Sequence, residues 1–325
     1  MSYVIGSFNM LKMDLKSNDE TKKNFDNIAK IIKREGFDVV ALQEVISKYA
    51  IKRLVKYLGE MKWDYIFRPS TITVSKDAQK EGYAFLWKKN KFNLVDADSA
   101  VETKNEYRIR RNGLGQYIHK NSLVRPPLVI RLSTADILGS SNFELRLINT
   151  HIAFNSPVNC VDKYSDSDLR KMELQTLSEE VYRRVSSKRY GTNLPAYTFL
   201  LGDYNLCLAG GGSPIVDEII DITNKRKLKT VQKEKTSLKQ TKRTYVTDDL
   251  NSEKDTDIKT ENDVENYSKN YDHFSYEVDL DDRLSLTATR VEALGKYYDN
   301  DLELFRKEIS DHVPIKLVLN LKRRG

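Results

Sequence analysis

The amino-acid sequence predicts an α/β fold in which β-sheets lie between layers of helices. Apolar runs of strand length recur between Trp63 and Ile152, whereas stretches with helical periodicity stand before and after them. This grouping differs from the regular alternation of strands and helices that builds an all-parallel sheet. The chain has 325 residues, of which 39% are hydrophobic, and this is enough for one large core.

The N-terminal elements are predicted to be a strand and a helix. An apolar stretch from Tyr3 to Phe8 comes first, and Asn18 or Asp19 could cap the helix that follows. Gly36 stands where the residue after a helix commonly adopts a left-handed conformation. The buried side of this helix is indicated by apolar residues at helical spacing, namely Phe25, Ile28, Ala29 and Ile32.

A second strand and a second helix come next. The short β-branched run from Asp38 to Leu42 is typical of a fully buried strand. A helix is then predicted to end just before Gly59. Its apolar side consists of Ile51, Leu54, Val55 and Leu58.

From Trp63 onward the pattern changes to a series of short strands. A long amphipathic helix is predicted over residues 166–188, directly before a buried strand from Tyr197 to Asp203. The other strands are predicted at residues 64–67, 83–87, 92–96, 127–132, 143–152, 271–278 and 313–319.

One segment, about residues 224–270, has a charge pattern unlike the rest of the chain. Its lysine-rich half runs from Lys225 to Arg243, and its acidic half runs from Asp248 to Glu265. The apolar content is too low for a separate core. We therefore expect a single domain over residues 1–325 that carries a charged surface insertion at about 224–270.

Composition limits the classes of protein to consider. Lys and Arg number 54 against 47 Asp and Glu, a net charge of +7 that favours polyanionic partners. The two cysteines, Cys160 and Cys207, do not form a disulfide framework in a chain of this length. Neither a membrane span nor a signal peptide is visible, so a cytoplasmic protein without a membrane partner is expected. The oligomeric state is left open.

Polar clusters directly follow several of the predicted strands. Strand ends are positions where a rigid scaffold presents catalytic groups, so these clusters are the candidate site. They are Asn9, residues 43–44, residues 149–151, residues 203–205, residues 272–273 and residues 310–312.

The residue types in these clusters favour a metal-assisted reaction. Carboxylate and amide oxygens suit Mg²⁺, or alternatively Mn²⁺, and the cysteine and histidine patterns of zinc sites are absent. Glu44 is a plausible ligand, and Asp311 and Asn9 could complete its shell. Asp203 and Asn205 are two residues apart, so in an extended segment both can hold one nucleophilic water. With histidines as proton donors or acceptors, this set predicts hydrolysis of a phosphoester.

The order of the motifs resembles the endonuclease/exonuclease/phosphatase superfamily, and within it the deoxyribonuclease I branch. Each motif is weak alone, whereas the ordered set is specific. It consists of SFNM, ALQEV, EGYAFLW, RPPLVIRL, NTHIAF, LLGDYN, YDHFSY and SDHVPI, between residues 7 and 315. The resemblance implies a four-layer α/β/β/α sandwich of two mostly antiparallel sheets flanked by helices, with the active site at one end of the sheets.

The resemblance also implies a role for each matched residue around the metal. Glu44 would be the principal Mg²⁺ ligand, with Asn9 and Asp311 nearby. Asp203 and Asn205 would position the attacking water and a phosphate oxygen.

Two histidine–carboxylate pairs are implied in the same way. His312 would be oriented by Asp272, and His151 by Glu81, so that the two imidazoles flank the scissile phosphate. The expected contacts to substrate come from Arg125, Arg111 and Tyr271.

Two positions depart from the deoxyribonuclease I pattern. Ile46 stands where that branch has an arginine that enters the minor groove, and Gln79 stands where it has a tyrosine that stacks there. Grip on double-stranded DNA of that particular kind is therefore not expected, although minor-groove contacts could come from another part of the chain, such as the cluster from Arg108 to Arg111.

The predicted function is that of a Mg²⁺-dependent nuclease that hydrolyses phosphodiester bonds in DNA. The main alternative keeps the fold and the metal but acts on a phospholipid or an inositol phosphate. A third hypothesis is a nucleic-acid-binding module without catalysis, which the occupied motif positions disfavour. The predicted partner is nucleic acid, and the choice between DNA and RNA rests on the resemblance alone.

Overall fold

Two six-stranded sheets pack face to face in the computed structural model, and helices cover their outer faces. Three clusters of buried apolar side chains lie between the four layers, one between the sheets and one under each helical layer. The predicted α/β/β/α sandwich is therefore confirmed. The structure describes residues 2–15, 22–69, 81–96, 110–111, 114, 117–118, 122–135, 142–154, 165–191, 193–208, 220–225, 227–232, 234–239 and 266–322.

The first sheet has the order β13-β14-β1-β2-β4-β3. Its central pair, β1 and β2, is parallel, and its other pairs are antiparallel. The strands are β1 (Ser2–Met13), β2 (Val39–Val45), β3 (Trp63–Pro69), β4 (Gly82–Lys88), β13 (Leu284–Arg290) and β14 (Ile315–Leu321).

The second sheet has the order β11-β12-β10-β9-β8-β5. It also contains one parallel pair, β9 with β10, among antiparallel ones, so the prediction of mostly antiparallel sheets is confirmed. The strands are β5 (Phe92–Asp96), β8 (Leu128–Thr134), β9 (Glu144–His151), β10 (Ala196–Asp203), β11 (Leu228–Val231) and β12 (Asp272–Glu277). A separate two-stranded ribbon joins β6 (Arg110–Arg111) to β7 (Tyr117–Ile118).

The two pairs of parallel strands, β1 with β2 and β9 with β10, determine where the candidate site lies. Parallel neighbours end at the same edge of a sheet, so the polar residues at the ends of β1, β2, β9 and β10 meet. A buried amide pair joins the sheets just below this edge, because Gln43 Nε2 donates to Asn149 Oδ1 at 2.7 Å. Asn149 Nδ2 in turn donates to the backbone oxygen of Leu42. These hydrogen bonds fix the register of one sheet against the other.

The first helix, α1 (Phe25–Arg34), begins later than the sequence suggested. Its N-cap is Asn24, whose side chain accepts from Asn27 N, so Asn18 and Asp19 do not cap it. Both lie outside the described residues. Several cap-competent side chains precede the apolar run, and a tertiary contact selects among them, since Asn24 N donates to Glu308 O. Gly36 follows the helix with φ +75°, as predicted.

The remaining helices cover the outer faces of the sheets. The long predicted helix is continuous but has a π-helical middle, with α3 (Asp166–Thr176), a π segment (Leu177–Tyr182) and α4 (Arg183–Ser187). The others are α2 (Lys48–Leu58), α5 (Leu280–Arg283), α6 (Ala293–Tyr298) and α7 (Leu302–Glu308). Among the described residues, no helix is both long and apolar enough to cross a membrane.

The bounds predicted for the surface insertion, about residues 224–270, are wrong at both ends. Residues 228–231 form β11, which pairs with β12. Leu228 is buried in this strand, whereas the next side chain, Lys229, is exposed. The lysine-rich composition hid this alternation. Residues 234–239 and 266–270 pack beside the site, and two β-bridges join Ser237 to His312 and Leu238 to Tyr267. Residues 240–265 lie outside the described part of the chain.

Gly202 is a position where only glycine fits. Its φ is +142°, and a Cβ added there would lie 1.9 Å from the backbone oxygen of Thr150 on β9. We expect Gly202→Ala to lower the free energy of unfolding by more than about 2 kcal/mol, because strand β10 must move away from β9. The matched control is Gly36→Ala, which has a positive φ but no neighbour within 4 Å. Urea denaturation measures both, and equal losses would contradict the argument from the close approach.

Candidate active site

An open cleft of about 700 Å³ lies at the edge where the parallel pairs end. Most of the residues proposed from the sequence line it, so the fold does bring them together. They are Glu44, Glu81, Arg125, His151, Asp203, Asn205, Tyr271, Asp311 and His312. The structure describes only the backbone of Arg111, in β6, so its predicted substrate contact lies outside what is described.

Asn9 lies buried at the floor of the cleft and holds two carboxylates together. Its Nδ2 donates to Glu44 Oε1 at 3.0 Å and to Asp203 Oδ2 at 2.9 Å. Its Oδ1 accepts from Leu11 N at 3.0 Å. In this arrangement Asn9 binds the two carboxylates through its amide nitrogen, while its role as a metal ligand stays a prediction.

Glu44 lies at a bulge in β2, between Leu42 and Val45, and has a left-handed backbone with φ +53°. This conformation turns its side chain into the cleft, where Lys12 N donates to Oε2 at 3.2 Å. Burial raises the pKa of Glu44, and the nearby carboxylates of Glu81 and Asp311 raise it further. A buried carboxylate surrounded by others gains most from a bound cation, so Glu44 fits the predicted role of metal ligand.

His312 is held in one orientation by Asp272. Its Nδ1 lies 2.7 Å from Asp272 Oδ2, which leaves Nε2 facing Asp203 Oδ2 at 3.7 Å. Burial opposes a positive charge on the imidazole, but Asp272 and Asp203 outweigh it and raise the pKa of His312 well above its ordinary value. The pairing of Asp272 with His312, which the resemblance implied, is the one that the fold makes.

His151 makes the second pair, on the other side of Asp203. Its Nδ1 lies 3.3 Å from Glu81 Oε2, and its Nε2 lies 3.8 Å from Asp203 Oδ2. Burial and Arg125 oppose a charge on His151, but Glu81 and Asp203 outweigh them and raise its pKa. Burial likewise opposes ionisation of Glu81, yet His151 and Arg125 hold its pKa at about 2. The backbone nitrogen of His151 donates to Tyr83 Oη, which fixes the strand end.

Arg125 reaches the cleft beside this second pair. Its Nη2 lies 3.0 Å from Glu81 Oε2, which fixes the guanidinium. Its Nη1 is buried and has no hydrogen-bond partner within the described part of the chain. A buried donor of this kind is costly unless a bound group satisfies it, which fits the predicted contact to a substrate phosphate.

Asp203 and Asn205 both line the cleft, but not in the extended segment that their spacing suggested. Strand β10 ends at Asp203, and Asn205 has a left-handed backbone with φ +49°. Asn205 N donates to Asp203 Oδ1 at 2.8 Å, and Asn205 Nδ2 donates to Ile152 O at 2.8 Å. The turn therefore fixes the Asp203 carboxylate and leaves its Oδ2 facing the two histidines.

Two groups of side chains could hold a metal ion. Asp203, Asp272 and His312 offer ligand atoms that all lie within 4.8 Å of one another. In the predicted set of Glu44, Asn9 and Asp311, the Oδ2 atom of Asp311 lies 3.5 Å from Arg306 Nη2. Both groups are rich in carboxylate oxygens, the donors that hard divalent cations prefer.

Known structures share this architecture. The structure is similar to ANGEL2, a 2′,3′-cyclic phosphatase solved with adenosine-2′,3′-vanadate, with a TM-score of 0.57, 18% identity and coverage of 99% of this chain and 96% of that one. A functionally unknown conserved protein from Enterococcus faecalis matches with a TM-score of 0.55 and 14% identity over 98% of this chain and 100% of its own.

An endonuclease/exonuclease/phosphatase family protein from Bacteroides thetaiotaomicron also matches, with a TM-score of 0.52 and 15% identity over 100% of this chain and 99% of that one. The chain has the endonuclease/exonuclease/phosphatase fold. No family model matches the sequence, and no curated protein matches it. The resemblance seen in the motifs is confirmed at the level of the fold, while nearness to deoxyribonuclease I stays a prediction.

Within this endonuclease/exonuclease/phosphatase fold, the sequence motifs missed one buried carboxylate behind the cleft. Glu173 on α3 accepts from Val124 N at 2.6 Å and from Ala153 N at 3.1 Å. Val124 directly precedes Arg125, and Ala153 follows His151 by two residues. Glu173 therefore holds together the loops that carry both side chains. A sequence signal was present, because Glu173 is a charged residue on the apolar side of an amphipathic helix.

The buried carboxyl of Glu173 predicts a pH-dependent stability. Burial raises its pKa from the ordinary value of 4.5 to about 7, although the two backbone donors oppose this shift. The folded state thus binds this proton more tightly than the unfolded one, so its contribution is complete below pH 4.5 and is lost as the pH rises through about 7. We expect a loss of about 3 kcal/mol across that window.

Glu173→Gln tests this expectation, because glutamine has no carboxyl group to titrate. The difference in unfolding free energy between wild type and Glu173→Gln should change steadily between pH 4.5 and 8, in favour of the variant at the higher pH. Urea denaturation at several pH values measures it. Two parallel stability curves would show that the folded state does not bind this proton more tightly.

Proposed function

We propose that this protein is a metal-dependent phosphodiesterase that hydrolyses nucleic acid, with DNA as the expected substrate. One observation carries the proposal. The Nε2 atoms of His151 and His312 lie 3.8 and 3.7 Å from the same oxygen, Asp203 Oδ2, and each imidazole is backed by its own carboxylate. Two oriented imidazoles that converge on one carboxylate suit proton transfer and charge stabilisation at a phosphate bound between them.

The proposed cofactor is Mg²⁺, with Mn²⁺ as the alternative. A bound divalent cation supplies charge stabilisation at the phosphoryl oxygens and favours ionisation of an attacking water. Glu44 and Asp311 would hold it, which leaves Asp203, Asp272 and His312 available for proton transfer.

The protein's own residues divide the remaining work. Asp203 would orient a water and accept its proton through Oδ2, which also accepts from Asn9 Nδ2, while its Oδ1 accepts from Asn205 N. The raised pKa of His312 favours its protonated form, from which Nε2 can donate to a phosphate oxygen or to the leaving group. Arg125 Nη1 supplies a further donor to the phosphate.

Basic side chains around the cleft support a polyanionic substrate. Lys12, Lys239, Lys269 and Arg306 line it together with the catalytic candidates. Cations arranged around a phosphate site attract the neighbouring phosphates of a nucleic acid chain. A phospholipid or an inositol phosphate is the alternative substrate.

A panel of phosphoesters tests the proposal. Purified protein is incubated with plasmid DNA, single-stranded DNA, RNA, an inositol phosphate and a phospholipid, each with Mg²⁺, Mn²⁺ or EDTA. We expect cleavage of nucleic acid that EDTA abolishes. Hydrolysis of the inositol phosphate or phospholipid alone would replace the proposed substrate, and binding of nucleic acid without turnover under either metal would favour a non-catalytic binding module.

A further inference from the structure

One exposed aromatic side chain stands in the wall of the cleft. Phe154 lies three residues after His151, beyond the end of β9, and is 50% exposed. Within the described ranges it is the one large hydrophobic side chain that is both exposed and part of the cleft. An exposed aromatic ring inside a polar cleft offers a flat apolar surface to a bound ligand.

The ring of Phe154 is fixed in place by its neighbours. Arg170 on α3 donates from Nη1 to the Phe154 backbone oxygen at 2.8 Å, and its guanidinium carbon lies 4.8 Å from the ring centroid. Tyr271 meets the same ring edge to face, with the centroids 6.5 Å apart. A ring held in this way loses little further freedom when it stacks on a ligand.

The aromatic wall leads directly to the catalytic histidine. The ring of Tyr271 is nearly parallel to that of His312, at an angle of 28° and a centroid distance of 6.5 Å. Tyr271 therefore contacts both Phe154 and His312, the imidazole proposed to face the scissile phosphate. A planar group attached next to that phosphate would come within reach of the Phe154 ring.

Basic side chains also line the cleft, beside the carboxylates of the candidate site. Lys12 extends from the end of β1, and Lys239 and Lys269 come from the two segments that the β-bridges hold beside His312. A positively charged groove combined with exposed aromatic rings is the usual composition of a site for single-stranded nucleic acid. A phosphoester without a planar group would use the lysines but not Phe154.

We propose that Phe154 stacks on an unpaired base next to the scissile phosphate, so that the cleft selects single-stranded nucleic acid. The inference builds on the proposed function and names its substrate class. A base in a duplex is already stacked on both faces and paired, and extracting it costs free energy that a single strand does not spend. The cleft therefore favours single strands over duplexes, because a duplex must first unstack and unpair a base before that base can stack on Phe154.

Binding and cleavage of short oligonucleotides test the inference. The variants are Phe154→Leu, Phe154→Tyr and, as a matched exposed aromatic away from the cleft, Tyr49→Leu. The probes are a fluorescent single-stranded oligonucleotide, its duplex and the same strand made of abasic nucleotides. Binding is measured by anisotropy in EDTA, and cleavage is measured with Mg²⁺ or Mn²⁺.

We expect Phe154→Leu to weaken binding of the single strand by about tenfold, because one base loses its stacking partner. Phe154→Tyr and Tyr49→Leu should bind as wild type does, and the abasic strand should not distinguish Phe154→Leu from wild type. Equal losses on the abasic strand, or unchanged binding of the normal strand, would overturn the inference even if the protein is a nuclease. Base-dependent binding without any cleavage would support the inference and refute the proposed function.

Discussion

His312→Ala is expected to lower kcat/KM for phosphodiester cleavage by about 10²- to 10⁴-fold, the range associated with a positioned acid or base. The imidazole faces the cleft through Nε2 and is held through Nδ1 by Asp272. Removing it takes away both the donor to the phosphate and the charge that balances Asp203 and Asp272. A continuous assay with a fluorescent oligonucleotide measures the loss.

Asp272→Asn tests whether Asp272 acts through its charge on His312 or only through its shape. Asparagine has nearly the same shape, but it removes the charge that raises the pKa of His312 and fixes its orientation. We expect a loss of activity that approaches that of His312→Ala, and an activity profile whose decline on the alkaline side moves to lower pH. Unchanged activity in both folded variants would remove the histidine from the reaction.

The second large effect is expected for Glu44→Gln, and it has opposite signs for activity and stability. The variant should lose about a hundredfold or more in activity, because the carboxylate proposed as the principal metal ligand becomes a neutral amide. The metal concentration for half-maximal activity should rise as well. Without metal the variant should unfold at a higher temperature, since a buried charge near Glu81 and Asp311 is removed.

Metal titrations of activity and thermal unfolding in EDTA provide the two measurements for Glu44→Gln. The matched control is Glu60→Gln, which changes a carboxylate in the surface turn beyond α2 and should alter neither quantity. If Glu44→Gln lowers activity but leaves the metal requirement unchanged, the ligand role is wrong.

Much of the fold followed from local patterns. The buried strands around Val40 and Leu200 and the helix before Gly36 are marked by periodicity and a helix stop, which depend on neighbouring residues only. Strand β11 was missed because lysines surround Leu228, although its side chain is buried. The start of α1 was misplaced because a contact with Glu308, far along the chain, selects the cap.

The residues of the candidate site were also only partly predictable from local patterns in the sequence. The clusters at strand ends identified the residues, but neither spacing nor composition could pair Asp272 with His312, which are 40 positions apart. The resemblance supplied that pair. Glu173 lies outside the motifs, and Phe154 lies inside NTHIAF but was given no role there. Both act through geometry alone: Glu173 through two backbone nitrogens, and Phe154 through its place in the cleft wall.

In the proposed mechanism the two histidine–carboxylate pairs converge on a phosphodiester in a metal-dependent site. The most direct test follows cleavage of one single-stranded oligonucleotide by wild type and by His312→Ala, with Mg²⁺ added stepwise after removal of all metal by EDTA. We expect no cleavage by wild type without metal, a saturable return of activity with added Mg²⁺ or Mn²⁺, and almost no activity in the variant. Cleavage that persists in EDTA, or that is equal in both proteins, would contradict the proposed mechanism.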